Sequence, residues 1–222
     1  MKPRCWLCGL LAALCAGCGG GSPAEPPAAP APRVIEFFGD SLTFGSIEGP
    51  SGTLTRLAVP PVRRAQELLG TSALCVDLSL PGATVADALA GVAMMPFGRF
   101  AEHVATTTAS VLVVRYGGAD ALRGTPLADF ERDLAELVRL AQAAGKTVLL
   151  VGVIATTTGA TDDYDLIVER TADAFGTGLV DVRAVPVKLP DDLADAVHPA
   201  QAWSDRMTAA IVLAINDADM LR

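Results

Sequence analysis

The segment Val34-Ile35-Glu36-Phe37-Phe38-Gly39-Asp40-Ser41-Leu42-Thr43-Phe44-Gly45 decides how the rest of the chain is read. Val34 to Phe38 is a β-favouring, mostly apolar run that stops at a glycine. Asp40 and Ser41 follow at once, and Gly45 closes the segment. Such a pattern is a strand running into a tight turn that presents one hydroxyl. A serine hydroxyl alone is a poor nucleophile, so the question becomes which groups elsewhere in the chain could activate it.

Downstream of this segment, apolar strand-like runs alternate with helical patterns. Strands are predicted at Ala73 to Leu78, Val111 to Val114, Val148 to Ile154 and Leu179 to Val182. Helices are predicted from Val62 to Leu69 after Pro60-Pro61, from Thr84 to about Ala90, and over Phe97 to Ala105. A longer one opens at Thr125-Pro126, with Leu127, Phe130, Leu134, Leu137, Val138 and Ala141 on one face and Gly145 at its end. Asp162 to Phe175 reads as helix, as does the stretch from Pro199 with Trp203, Met207, Ile211 and Ile215 at intervals of four. Ser46 to Pro61 lacks periodicity and reads as a long loop. Alternation of this kind predicts a parallel sheet with helices on both faces. Ligands then sit beyond the carboxyl ends of the strands, so Ser41, Gly82 and Gly117 to Asp120 should converge.

The two histidines differ in setting. His103 lies on a predicted helix beside Glu102 and reads as a surface or half-buried side chain. His198 stands in Asp195-Ala196-Val197-His198-Pro199. There a carboxylate three residues earlier can reach one ring nitrogen, and the proline biases His198 toward extended backbone. An imidazole backed by an acid is what a serine needs.

Gly39-Asp40-Ser41-Leu42 after the first strand, together with Asp195-x-x-His198-Pro199 before the last helix, resembles the GDSL, or SGNH, hydrolase family, and the likeness runs from about Arg33 to Ile215. The resemblance implies a three-layer α/β/α sandwich around a five-stranded parallel sheet, flavodoxin-like in order, and hydrolysis of carboxylic esters or thioesters. It implies Ser41 as nucleophile, His198 as base and Asp195 as its orienter. Gly82, in Leu80-Pro81-Gly82, matches the block whose backbone N–H joins that of Ser41 in an oxyanion hole. The chain departs from the family at Gly117-Gly118-Ala119-Asp120, where Ala119 takes the place of an asparagine that gives a further donor. Asn216 is the sole asparagine of the sequence and lies far along the last helix. Ser79, Thr84, Arg123 or a water could compensate. Asp40 and Asp120 read as loop carboxylates bonded to backbone N–H groups. Two alternatives stay open: a weak or inactive ligand-binding protein on the same scaffold, and an acyltransferase using the same three residues.

Composition narrows the partners. The chain has 222 residues and a formal net charge of −8, and the leader's Lys2 and Arg4 make the remainder more acidic still. Clustered Lys and Arg are absent from the sequence, which argues against nucleic acid. No metal cluster, phosphate loop or dinucleotide fingerprint is present, so no cofactor is expected. Four of the five cysteines fall in the first 18 residues. Cys75 sits in an apolar run and is expected to be buried.

Lys2 and Arg4 precede an apolar stretch, Trp6 to Ala16, too short for a bilayer-spanning helix. It ends Leu14-Cys15-Ala16-Gly17-Cys18, which resembles the lipobox of bacterial lipoproteins, with Cys15 where leucine is usual. That resemblance implies a signal peptide over residues 1–18, lipid on Cys18, and export to the cell envelope on the periplasm-facing outer membrane. Residues 19–32, rich in Gly, Ala and Pro, read as an extended linker, and residues 33–222 as the catalytic domain. The expected substrate is a small-molecule, lipid or sugar ester, with Ser46–Pro61, Met94–Phe100 and Thr156–Asp163 as rims of its pocket.

Overall fold

Alternate residues of the first strand serve opposite faces of a sheet, and the helices follow from that division. The computed structural model describes residues 31–49, 51–92, 94–154, 161–185, 187–188 and 191–217. Strands β1 (Arg33–Gly39), β4 (Ala73–Asp77), β5 (Val111–Arg115), β6 (Thr147–Val151) and β7 (Gly178–Val180) form one parallel sheet in the order β4-β1-β5-β6-β7. This is the doubly wound order in which the direction of winding reverses between β1 and β5, the place where such sheets open a crevice.

Ile35 and Phe37 of β1, Val111 and Val113 of β5, and Leu149 and Val151 of β6 face α2 (Pro61–Leu69) and α8 (Gln201–Asp217). The α8 stripe Trp203, Met207, Ile211 and Ile215 is buried there as its spacing predicts. Each such side chain contributes roughly 1.5–3 kcal/mol on leaving water. Phe38, Leu112, Val114, Val148 and Leu150 face the other layer, built from α3 (Val85–Ala90), α4 (Phe100–Thr106), α6 (Leu127–Ala143) and α7 (Asp162–Phe175). The architecture is therefore the predicted three-layer α/β/α sandwich with a five-stranded parallel sheet.

Several local expectations need correction. Ser46–Pro61 is not a featureless loop: it contains the antiparallel hairpin β2 (Ser46–Glu48) and β3 (Leu54–Arg56) and the first residue of α2. Three-residue strands are too short for an alternation to register. Two further short helices, α1 (Ser41–Phe44) and α5 (Gly118–Arg123), carry no apolar period either. The long α6 is preceded by Pro126 with no side-chain cap, so Thr125 does not cap it, and Leu127 is exposed rather than part of the buried face. Cys75 is half-buried and not in the closed core, and burial still pushes its thiol up to about 11. Thr84 does cap α3, in a reciprocal box with Asp87.

Two features of β1 fix its surroundings. Glu36, a carboxylate inside an apolar strand, is buried but satisfied by His103 Nε2 (2.8 Å) and Thr107 Oγ1 (2.6 Å). Gly39 has no space for a side chain: a Cβ there would lie 2.1 Å from Thr43 Oγ1 and 2.4 Å from the Arg115 carbonyl oxygen. Backbone on one side and a buried hydroxyl on the other leave no direction for relief.

Asp120, buried in α5, has its Oδ2 aimed at the Val85 N–H of α3 (3.4 Å). Burial, aided by the neighbouring charge of Asp40, pushes its carboxyl up to about 7. Above the ordinary carboxylate range and below that value, the folded chain holds a proton that the unfolded chain has released. Stability drains as pH rises through the interval. Replacing Asp120 by Asn should therefore leave a stability advantage over the unsubstituted protein that grows from about pH 4 to about pH 7, measured by thermal melting. Gly39→Ala should destabilise the domain by at least about 3 kcal/mol, or prevent folding, as read by urea denaturation.

Candidate active site

Strand β1 stops where Asp40 takes an extended conformation (φ −95°, ψ −152°) and caps α1, its Oδ1 accepting the Leu42 N–H at 2.9 Å. One turn later Gly45, in the left-handed region at φ 81°, donates its N–H to the Ser41 carbonyl and ends the helix. Ser41 is thus the first residue after a sharp strand-to-helix turn, nearly buried. Its backbone N–H is one of those a helix start leaves without an internal partner.

The loop before α8 meets this hydroxyl. Leu193 and Pro199 form a bridge, and Ala194 N–H bonds the His198 carbonyl (2.8 Å), so the chain from Leu193 to Pro199 is closed on itself. Inside it, Asp195 accepts the backbone N–H groups of Val197 (2.8 Å) and His198 (2.7 Å) on Oδ1. His198 Nδ1 stands 2.9 Å from Asp195 Oδ2 and 3.1 Å from Oδ1, and His198 Nε2 stands 3.1 Å from Ser41 Oγ. Partial burial pushes the Asp195 carboxyl up, but the backbone donors from His198, Val197 and Glu48, together with the imidazole, outweigh it, and the group titrates below its usual value. An ionised carboxylate only accepts, which assigns the ring proton to Nδ1. In the neutral ring Nε2 is then the acceptor for the Ser41 hydroxyl.

One contact was not legible in the sequence. The Glu48 N–H at the end of β2 donates to Asp195 Oδ2 (2.7 Å). The hairpin therefore helps aim the acid. It is itself anchored by Arg56, whose Nε donates to the Phe44 carbonyl (2.7 Å) and whose guanidinium lies 4.0 Å over the Phe44 ring. The signal was a backbone group in a glycine-rich stretch, and no side-chain pattern announces that.

Asp40 Oδ2 accepts the Ala119 N–H at 2.9 Å, which ties the β1 turn to the β5 turn across the switch point. Burial raises the Asp40 carboxyl, and the N–H groups of Ala119 and Leu42 and the charges of Arg115 and His198 oppose the rise. Arg115, itself buried, is lowered to about 10 by that burial against the pull of Asp40, so it stays cationic at neutral pH. Its guanidinium lies 5.6 Å from the Trp203 ring. Asp40 is thus a turn carboxylate that accepts from backbone, as read from the sequence, whereas Asp120 faces a backbone N–H from within α5 and not from a loop.

Gly82 sits in the turn after β4 at φ 77°, and that turn is fastened by the Leu80 N–H to the Gly39 carbonyl (3.0 Å), beside the start of α1. Ala119 is buried and presents only a methyl group. Asn216 is exposed in the last turn of α8, about 22 Å along the axis from the His198 end. His103 is committed to Glu36 and takes no part in this arrangement. Among the described residues no group of three or more His, Cys, Asp or Glu is placed to hold a metal ion. Of the expected rims, Met94 is exposed, Leu54 of the hairpin is exposed, and residues 156–160 lie outside the described residues.

A family model described as GDSL-like lipase/acylhydrolase matches residues 37–205. None of the curated proteins matches the chain. Among solved structures, that of TesA is 24% identical over 83% of this chain and 99% of its own, with a TM-score of 0.66. The lipase/acylhydrolase from Enterococcus faecalis is 19% identical over 84% of this chain and 96% of its own, with a TM-score of 0.67. The aryl esterase of M. smegmatis is 16% identical over 83% of this chain and 99% of its own, with a TM-score of 0.69. These likenesses carry the fold, while the matched model spans the β1 turn and the His198 loop together. The chain belongs to the GDSL-like lipase/acylhydrolase family and is a hydrolase acting on ester bonds.

Proposed function

We propose that the protein is a serine esterase that cleaves carboxylic esters or thioesters through an acyl-enzyme on Ser41. The observation that carries this reading is the unbroken run from Asp195 Oδ2 to His198 Nδ1 (2.9 Å) and from His198 Nε2 to Ser41 Oγ (3.1 Å). Ser41 Oγ attacks the ester carbonyl as His198 Nε2 takes its proton. The imidazolium so formed is stabilised by Asp195. The carbonyl oxygen of the tetrahedral intermediate becomes an anion and receives the N–H groups of Ser41 and Gly82. Collapse breaks the bond to the leaving alcohol, which receives the proton from Nε2. Water then repeats the sequence on the acyl-serine and releases the acid.

Small-molecule esters, sugar esters among them, are the substrate class favoured by relatives such as the carbohydrate acetylesterase Est24 from Sinorhizobium meliloti, which is 16% identical and has a TM-score of 0.68. Exposed Leu54 and Met94 on the expected rims suit an apolar acyl part. The reading extends to the leader: a signal peptide ending before Cys18, a lipid on that cysteine, and residues 19–32 as a tether to the cell envelope. No helix of the described residues is long and apolar enough to cross a membrane. In this reading the acyl chains on Cys18 supply the anchor.

A fluorophosphonate probe should label Ser41, mapped by peptide mass spectrometry, and Ser41→Ala should abolish both labelling and hydrolysis of short p-nitrophenyl esters. Equal rates for the two proteins would end the reading. No labelling and no hydrolysis by the unsubstituted protein would favour the ligand-binding alternative. Asp195→Asn should lower kcat by about 10⁴ while leaving the fold intact, because the amide no longer stabilises the imidazolium or holds the ring tautomer. For the leader, Cys18→Ser should end incorporation of radiolabelled palmitate and release the protein from the membrane fraction on expression in a bacterium with lipoprotein processing. Retained label would refute lipidation at that residue.

A further inference from the structure

We propose that Arg123 completes the oxyanion site, donating from Nη2 to the anionic oxygen on the side where Ala119 offers only a methyl group. This rests on the serine-esterase reading and adds a residue to it. Arg123 ends α5, and its Nη1 donates to Asp87 Oδ2 of α3 at 2.9 Å. That bond joins α3, which follows the Gly82 turn, to α5, whose first turn holds Ala119. Nη2 is thereby turned over Gly82: it lies 3.7 Å from where a Cβ on that glycine would sit and, among the described residues beyond the glycine's chain neighbours, is the one atom within 4 Å of that point. A guanidinium hydrogen bond to an anion is charge-assisted and stronger than one from a neutral amide.

Of the other candidates near the turn, the Ser79 hydroxyl already donates to Asp77 Oδ1 at 2.5 Å, and the Thr84 oxygen is held at the start of α3 by the Asp87 N–H it accepts. The positive φ of Gly82 accounts for glycine there, since a side chain would be strained in that backbone. Arg123 is about half exposed, so solvent screens part of its charge, and the donor is weaker than one in a closed site.

The test uses Arg123→Met, which keeps an apolar stem and removes every donor. Turnover of p-nitrophenyl acetate should fall at least ~10-fold, up to ~100-fold, with KM changing far less, because the interaction is made only in the transition state. Guanidinium added at low millimolar concentration should restore part of kcat in Arg123→Met and none in Ser41→Ala. Ala119→Asn should do little alone but should recover turnover in the Arg123→Met background. Asp87→Asn, which keeps a side-chain acceptor for Nη1 and removes the ion pair, should cost less turnover than Arg123→Met. If Ser41→Ala is inactive while Arg123→Met matches the unsubstituted protein, the role of Arg123 is overturned and the serine reading stands. A loss in Asp87→Asn as deep as in Arg123→Met, without rescue by guanidinium, would likewise overturn it, making the residue a brace between α3 and α5. Should Arg123→Met fail to fold, Arg123→Lys must show reduced kcat with unchanged KM, because one ammonium cannot both hold Asp87 and reach the anion, and full activity there would overturn the role of Arg123.

Discussion

A buried carboxylate at the switch point of the sheet holds the site together. Asp40 accepts the Leu42 N–H on one oxygen and the Ala119 N–H on the other, both at 2.9 Å. One side chain thus caps the helix that presents Ser41 and fastens the loop after β5 to the loop after β1. Burial works against its ionisation, and two backbone donors with Arg115 nearby offset that cost. Were the bond to Ala119 lost, the longer one from Arg115 Nη1 to the Leu42 carbonyl (3.4 Å) would still link the end of β5 to the helix that carries Ser41. The close approach at Gly39 comes from the same crowding: strand, helix and neighbouring strand meet where there is no volume for a methyl group.

The acid side of the site is built differently. Asp195 is held by three backbone N–H groups, two from its own closed loop and one from Glu48 on the hairpin that follows the nucleophile. The hairpin thereby connects the first turn of the domain to its last loop. The same loop is braced from behind by Asp192, which accepts from the Lys188 N–H and from Arg206 of α8. Gln201 at the start of α8 adds a second clamp, bonding both backbone groups of Val59, and Arg64 of α2 pairs with Asp205. The orientation of His198 is thus a product of α2, α8 and the hairpin acting together, and its partners are mostly main-chain atoms.

Much of the fold was legible because the sheet is buried on both sides. Val111 to Val114 and Val148 to Val151 read as continuous apolar runs, and Phe130 to Ala141 and Trp203 to Ile215 repeat at the helical period, since each must face a packed layer. The pieces with no apolar period were lost to view: α1, α5, β2 and β3 are short and polar, and their conformations are imposed by contacts with the β1 and β5 turns. Leu127 and Cys75 show the converse error, apolar residues assigned to a closed interior that neighbouring elements do not cover.

At the site, residue identity spoke for Ser41, Asp195 and His198, because chemistry restricts which side chains can attack, accept a proton and orient an imidazole, and because the acid and the ring are only three positions apart. Folding alone could bring Ser41 within 3.1 Å of a ring 157 residues later, lay Glu48 against Asp195, and lean Arg123 over Gly82. Local spacing encodes strands, helix caps and near-neighbour pairs. Which loops meet at the end of a sheet depends on strand order, and strand order is decided when β1 takes its place between β4 and β5.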